Sequence, residues 1–148
     1  MAGIHANLLI HVIFGTRGAA PSVAPERREA LHAHLAEVAQ QEFGRALEIG
    51  GAPDHLHALL SLRPDAAPGE AVRLWKSRSA AWMRQAGQAD FAWQGGFAAF
   101  SVSQSNAEAV ARYIRDQAQH HAKLSFTDEL KVFLQRHGIA FEESTLLE

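Results

Sequence analysis

The stretch Gly50-Gly51-Ala52-Pro53-Asp54-His55-Leu56-His57-Ala58-Leu59-Leu60-Ser61-Leu62 carries the reading on which the rest of the chain depends. Leu56, Ala58, Leu60 and Leu62 recur at every second position, so the segment after the Gly50-Gly51 turn reads as a strand with one apolar face. The opposite face carries His55 and His57, followed by Leu59 and Ser61. Side chains two residues apart on a strand point the same way and sit about 6.5 Å apart. Two imidazoles so placed can converge on one metal ion, and histidine is the commonest protein ligand for transition metals.

A second His-x-His pair, His32 and His34, provides an internal control. It lies in a segment that opens on Pro25, stops at Gly44, and spaces Leu31, Leu35 and Val38 as a helix does. Residues two apart on a helix are splayed by roughly 200°. His32 and His34 therefore read as solvent-facing helix residues that share no ligand. Spacing alone is weak evidence, and a His-x-His pair on a strand needs partners before it means chemistry.

Working outward, residues 4 to 15 form a strand, because Ile4, Ala6, Leu8, Ile10, Val12 and Phe14 alternate without a break. His5, Asn7 and His11 line its other face, where His11 reads as a hydrogen-bonded sheet histidine rather than a ligand. The Pro25 helix follows, then a short strand at Leu47-Glu48-Ile49, then the His55/His57 strand. Pro64 to Pro68 is a polar loop. Ala71 to Gln85 is a helix with Val72, Trp75, Ser79 and Trp82 on one side. A loop, Phe91 to Gly96, leads into a strand over Phe97 to Ser103. Strand, helix, strand, strand, helix, strand is the ferredoxin-like split βαβ order: an α+β fold whose antiparallel sheet carries both helices on one face. The other face is then expected to be open, with His55 and His57 pointing into it.

Two further helices close the chain. The first runs from Asn106 to Lys123, with Tyr113 and Gln117 one turn apart on a stripe that His120 and His121 continue. The second runs from Thr127 to His137 and ends before Gly138. A lone tyrosine on such a stripe is more often a packing residue. With a carbonyl-bearing amide one turn away and a His pair elsewhere, it suggests nucleophilic phosphoryl transfer, for which a phenol of ordinary pKa about 10 needs activation.

Composition narrows the classes. The 148 residues suit one domain with a real core, spanning 1 to 148. The absence of cysteine excludes disulfide frameworks and thiolate zinc sites. No apolar run approaches a membrane span and no signal-peptide pattern opens the chain, so a cytoplasmic location is expected. A formal net charge of −2 gives no global attraction to nucleic acid. Charge is concentrated locally instead: Arg73, Lys76, Arg78 and Arg84 stand against a single acid, Glu70, between Pro68 and Gln85. Such a face is either merely solvated or suited to a phosphate backbone.

Several motifs in this order resemble the HUH-endonuclease tyrosine transposases of the insertion-sequence 200/605 type, including the REP-associated group. They are Asp54-His55-Leu56-His57, Trp93-Gln94-Gly95-Gly96-Phe97 with Phe100-Ser101-Val102-Ser103, and Tyr113-Ile114-Arg115-Asp116-Gln117 with His120-His121. Phe126-Thr127-Asp128-Glu129-Leu130 and Gly138-Ile139-Ala140-Phe141 complete the set. Lys76-Ser77-Arg78-Ser79, Phe97 and Ser144-Thr145 depart from the family pattern. The resemblance implies that His55, His57 and Gln117 ligate a divalent metal ion, Mg²⁺ or Mn²⁺, and that Tyr113 is the nucleophile. It further implies a transposase that cleaves and rejoins hairpin-bearing single-stranded DNA through a 5′-phosphotyrosine. Such a protein acts as a homodimer, without a nucleotide cofactor and without a membrane, and its tyrosine helix can serve the partner's site. Arg73, Lys76 and Arg78 are the expected DNA contacts. A non-catalytic or domesticated DNA-binding relative and a water-using nuclease are the competing readings.

Overall fold

The computed structural model describes residues 2–148, apart from the side chain of His121. Its strands are β1 (Leu8–Gly15), β2 (Gly44–Ala52), β3 (His55–Leu62) and β4 (Ala98–Val102). They form one antiparallel sheet in the order β2-β3-β1-β4. The connection from β1 to β2 runs through α1 (Pro25–Glu42), and that from β3 to β4 through α2 (Pro68–Gln85). Each connection returns the chain parallel to its start with one antiparallel strand between, which is the split βαβ topology.

Alternation decides which face each helix covers. Val12, Phe14, Leu56, Ala58, Leu60 and Leu62 point toward α1 and α2, where they meet Leu31, Leu35, Val38, Val72, Trp75 and Met83 in one core. The Trp75 indole, fully enclosed there, donates to the Leu35 carbonyl at 2.8 Å, so its one polar atom is satisfied. Packing against α2 and the sheet also changes the reading of the control pair. His32 and His34 are half-buried rather than solvent-facing, and His34 stacks on Trp82 with ring centroids 5.1 Å apart. They still do not converge, because the helix sends them to different neighbours.

The opposite sheet face is not open. It is covered by α3 (Ala107–Arg115), α4 (Gln117–Lys123) and α5 (Phe126–Arg136). Leu9 and Leu59 pack under Ala111 and Ile114, while Ile13 and Phe100 pack under Phe126, Leu130 and Leu134. The expected single helix from Asn106 to Lys123 breaks at Asp116, whose backbone leaves the helical basin at φ −94° and ψ 19°. The physical reason for the covered face is apolar surface: Leu9, Ile13, Leu59 and Phe100 would otherwise meet water.

Two glycines make that close cover possible. Gly50 pairs with His57 across β2 and β3, and a Cβ there would stand 1.8 Å from the Ile114 carbonyl oxygen. Gly15 pairs with His55 across β1 and β3, and a Cβ there would stand 2.6 Å from the Phe126 ring. Helix α3 thus lies directly on β2, and Phe126 reaches across to stack on His55 at 4.6 Å. Gly50→Ala should lower stability by about 1–3 kcal/mol, the usual range for overpacking. At this chain length that is a fall of several degrees in the thermal midpoint. An unchanged midpoint by calorimetry would mean α3 does not rest on β2.

Candidate functional site

His55 and His57 sit on the α3–α5 side of β3, 2% and 0% exposed, with ring centroids 5.2 Å apart. The pair does what the strand spacing requires: both rings look onto one spot. Three groups meet them there. Gln117, the first residue of α4, brings its Oε1 to 2.7 Å from His55 Nε2. Glu129 of α5 places Oε1 2.9 Å from His57 Nε2 and 3.3 Å from His55 Nε2. Tyr113 of α3 donates its hydroxyl hydrogen to Glu129 Oε2, and Gln117 Nε2 donates to the same oxygen at 3.0 Å. The two carboxylate oxygens are divided: one faces the imidazoles, the other faces the phenol and the amide.

Supporting contacts orient the rings. His55 Nδ1 lies 2.7 Å from Asp54 Oδ1, and His57 Nδ1 lies 2.8 Å from His11 Nε2. A carboxylate or second ring on the rear nitrogen fixes which nitrogen faces forward. His11 is therefore the hydrogen-bonded sheet histidine expected from sequence, and it leans edge-on against Phe133 at 5.0 Å. His120 stacks on Tyr113 with centroids 4.3 Å apart, continuing the stripe across the break at Asp116. The side chain of His121 lies outside the described residues.

Electrostatics follow from these contacts. Burial opposes charge on His55, but its hydrogen bonds to Asp54, Glu129 and Gln117 outweigh burial and raise its pKa to about 9. Burial dominates at His57, pushed down to about 4, and at His11, pushed down to about 3. Burial would lift the Glu129 carboxyl, yet hydrogen bonds from His55, His57 and Tyr113 hold it well below the usual carboxylate range. The Tyr113 phenol is raised, by burial first and by Glu129 second. Proton and tyrosine thus stay together at neutral pH.

The donor set suits a divalent cation. His55, His57 and Glu129 each offer a ligand atom within 4.8 Å of the others. An octahedral ion with ligands at about 2.1 Å keeps neighbouring ligand atoms about 3 Å apart. Three of the pairs stand close to that spacing: His55 Nε2 to Gln117 Oε1 at 2.7 Å, His57 Nε2 to Glu129 Oε1 at 2.9 Å and His55 Nε2 to Glu129 Oε1 at 3.3 Å. Two imidazole nitrogens with two oxygens fit Mn²⁺ as well as Mg²⁺.

Glu129 is the member of this group that sequence reasoning passed over. The signal was present. Ser125 caps α5 through its hydroxyl, accepting from the Asp128 amide at 3.2 Å, and the buried stripe then runs Phe126, Glu129, Leu130, Leu134. A carboxylate at an apolar-stripe position is the kind of residue a core excludes unless something pairs with it.

The expected DNA contacts lie elsewhere, on α2, across the sheet from the His pair. Arg73 pairs with exposed Glu70, and Arg78 reaches Glu42 at 3.3 Å. Lys76 is committed to the chain itself, donating to the carbonyls of Gln94 at 2.9 Å, Gly95 at 3.3 Å and Gly96. Burial lowers its pKa to about 8. No described helix is long and apolar enough to cross a membrane.

A family model described as "Transposase IS200 like" matches residues 5–117. Among solved structures, a candidate transposase from Deinococcus radiodurans R1 superposes with a TM-score of 0.65 at 22% identity, covering 80% of this chain and 96% of that one. A REP-associated tyrosine transposase bound to a REP hairpin gives a TM-score of 0.56 at 13% identity, covering 97% of this chain and 79% of that one. At these identities the two structures speak for the shared fold. No curated protein matches the chain.

Proposed function

The chain belongs to the IS200-like transposase family, and from that premise we propose that it cuts and rejoins single-stranded DNA through a covalent 5′-phosphotyrosine at Tyr113. The observation that carries the proposal is the meeting of His55, His57, Gln117 and Tyr113 around one buried carboxylate within a single chain. On this reading the substrate is hairpin-bearing single-stranded DNA, in keeping with a structural neighbour bound to a REP hairpin. A homodimer is part of the same reading.

In the cleavage step the Tyr113 oxygen attacks the scissile phosphorus. The bond to the 3′ oxygen breaks, that oxygen takes up the proton released by the phenol and leaves as a free 3′-hydroxyl, and the 5′ phosphate stays on tyrosine. The phenolic proton has Glu129 Oε2 as its acceptor in direct contact. Attack by a second 3′-hydroxyl reverses the step and restores the phenol. One phosphodiester is exchanged for another, so no nucleotide cofactor is needed. A divalent ion held by His55, His57, Glu129 and Gln117 would supply electrostatic stabilisation of the charge that develops on the phosphate oxygens. The remaining work is positional: Gln117 holds Glu129 from one side, and Asp54 and His11 hold the two rings from behind.

The direct test uses end-labelled hairpin oligonucleotides with Mn²⁺ or Mg²⁺ on a denaturing gel. The 3′-end label should travel with the protein, and the 5′-end label should leave as a shorter free strand. Cleavage with both labels free of protein would mean that water is the nucleophile. Binding without cleavage would leave only the non-catalytic reading.

Glu129→Gln keeps the shape of the side chain and removes its charge. Affinity for Mn²⁺, read by titration calorimetry, should fall by at least about tenfold, the scale on which even indirect partners of a metal site act. Unchanged affinity would remove Glu129 from the ligand set.

Arg73 and Arg78 remain the candidate phosphate contacts, because exposed ion pairs are worth little and exchange partners readily. Replacing both with alanine should flatten the dependence of log affinity on log salt by about 0.7 per lost single-strand phosphate contact. A slope equal to that of the unaltered protein would make this face a solvated one. Lys76→Ala should instead lower stability, since three backbone carbonyls lose their donor.

A further inference from the structure

We propose that the cavity between α3, α4 and α5 is a subsite for a nucleobase of single-stranded DNA, next to the phosphate that Tyr113 attacks. The inference rests on the reading of Tyr113 as nucleophile and adds to it a place for the substrate's base.

The cavity has a volume of about 470 Å³, in the range of small-ligand sites at roughly 300–1,000 Å³. Its walls are rings. Tyr113 and His120 stack in near-parallel planes, 18° apart, and half-buried Phe133 meets Tyr113 edge-on at 5.5 Å. Val110 and Val132 complete an apolar lining. Such surfaces hold bases by stacking, which is tolerant of sequence because every base presents a π-face.

Charge distinguishes the rim from the interior. Lys123 and Arg136 line the cavity as exposed side chains, and neither has a carboxylate partner among the described residues. Those two cations draw a phosphate to the rim, while the apolar interior is left to the base. The arrangement therefore orients a nucleotide: base inward, phosphate outward between the two cations. Both Glu129 oxygens already accept hydrogen bonds within the site, which leaves stacking as the main grip on the base. Asn106, exposed at the same cavity, adds an amide able to meet a base edge.

The test needs neither cleavage nor a known target sequence. Methyl groups of Val110, Val132 and Leu124 are followed by NMR while thymidine or deoxyadenosine 5′-monophosphate is added. Deoxyribose 5-phosphate serves as the base-free control. The nucleotides should shift all three residues and bind at least about tenfold more tightly than the control, the scale of one base–aromatic stack. Ala109→Trp, at an exposed position lining the cavity, should fill it and weaken nucleotide binding by a similar factor. Arg136→Gln should weaken nucleotide and control alike. Equal binding of the control, or nucleotide binding untouched by Ala109→Trp, would overturn the subsite. Covalent adduct with unshifted methyls would also overturn it while leaving the phosphotyrosine reading intact. Shifted methyls with no adduct under any condition would uphold the base site and sink the phosphotyrosine reading.

Discussion

Tyr113→Phe is expected to reduce covalent protein–DNA adduct to background while leaving the fold and single-strand affinity nearly unchanged. The substitution removes one oxygen. The ring keeps its stack on His120 at 4.3 Å and its edge contact with Phe133 at 5.5 Å. Glu129 loses one donor but keeps Gln117 Nε2 at 3.0 Å and His57 Nε2 at 2.9 Å. The cost to stability is that of one hydrogen bond, about 1 kcal/mol, or roughly 2–4 °C at this chain length. Loss of the proposed nucleophile of the first step has no such ceiling. The denaturing gel reads the first effect and calorimetry the second. Adduct from the phenylalanine variant at the normal level would move the nucleophile to another residue. A collapse of the thermal midpoint would show that the hydroxyl serves packing as well.

The second large effect is a contrast between two pairs of equal spacing. His55→Ala and His57→Ala should each weaken Mn²⁺ binding by more than about a hundredfold, beyond what loss of a supporting partner does. His32→Ala and His34→Ala should leave Mn²⁺ affinity within about twofold. The helix pair is not inert, however. His34 stacks on Trp82 and His32 lies close to Gly51, so both alanine variants should lose some stability. Calorimetric titration of Mn²⁺ separates the two effects, because packing loss moves the thermal midpoint and ligand loss moves the affinity. Equal damage to affinity from the helix pair, in folded variants, would refute the argument that strand geometry makes His55 and His57 converge.

That argument also marks how far the sequence reaches. Period-two alternation in Leu56, Ala58, Leu60 and Leu62 determined a strand, and a strand places His55 and His57 on one side. Element order then determined the split βαβ topology, since few sheets accommodate strand, helix, strand, strand, helix, strand. Tyr113 and Gln117 could be set together as near neighbours along a helical stripe. The tertiary structure alone decided what meets them. The face that the element order leaves open is covered, because Leu59, Ile13 and Phe100 stand beside the histidines and need apolar partners. The helical stripe from Asn106 to Lys123 breaks at Asp116, which lets Gln117 begin a new helix while still reaching His55. Lys76 turned from a free charge into a clasp on Gln94, Gly95 and Gly96, and His32 and His34 from solvent to helix packing. Glu129 entered the site from a helix more than seventy residues along the chain from His55 and His57. Periodicity encodes which face of an element is apolar. Which faces then meet, and which polar group is carried between them, depends on long-range packing and on the room that Gly15 and Gly50 leave for it.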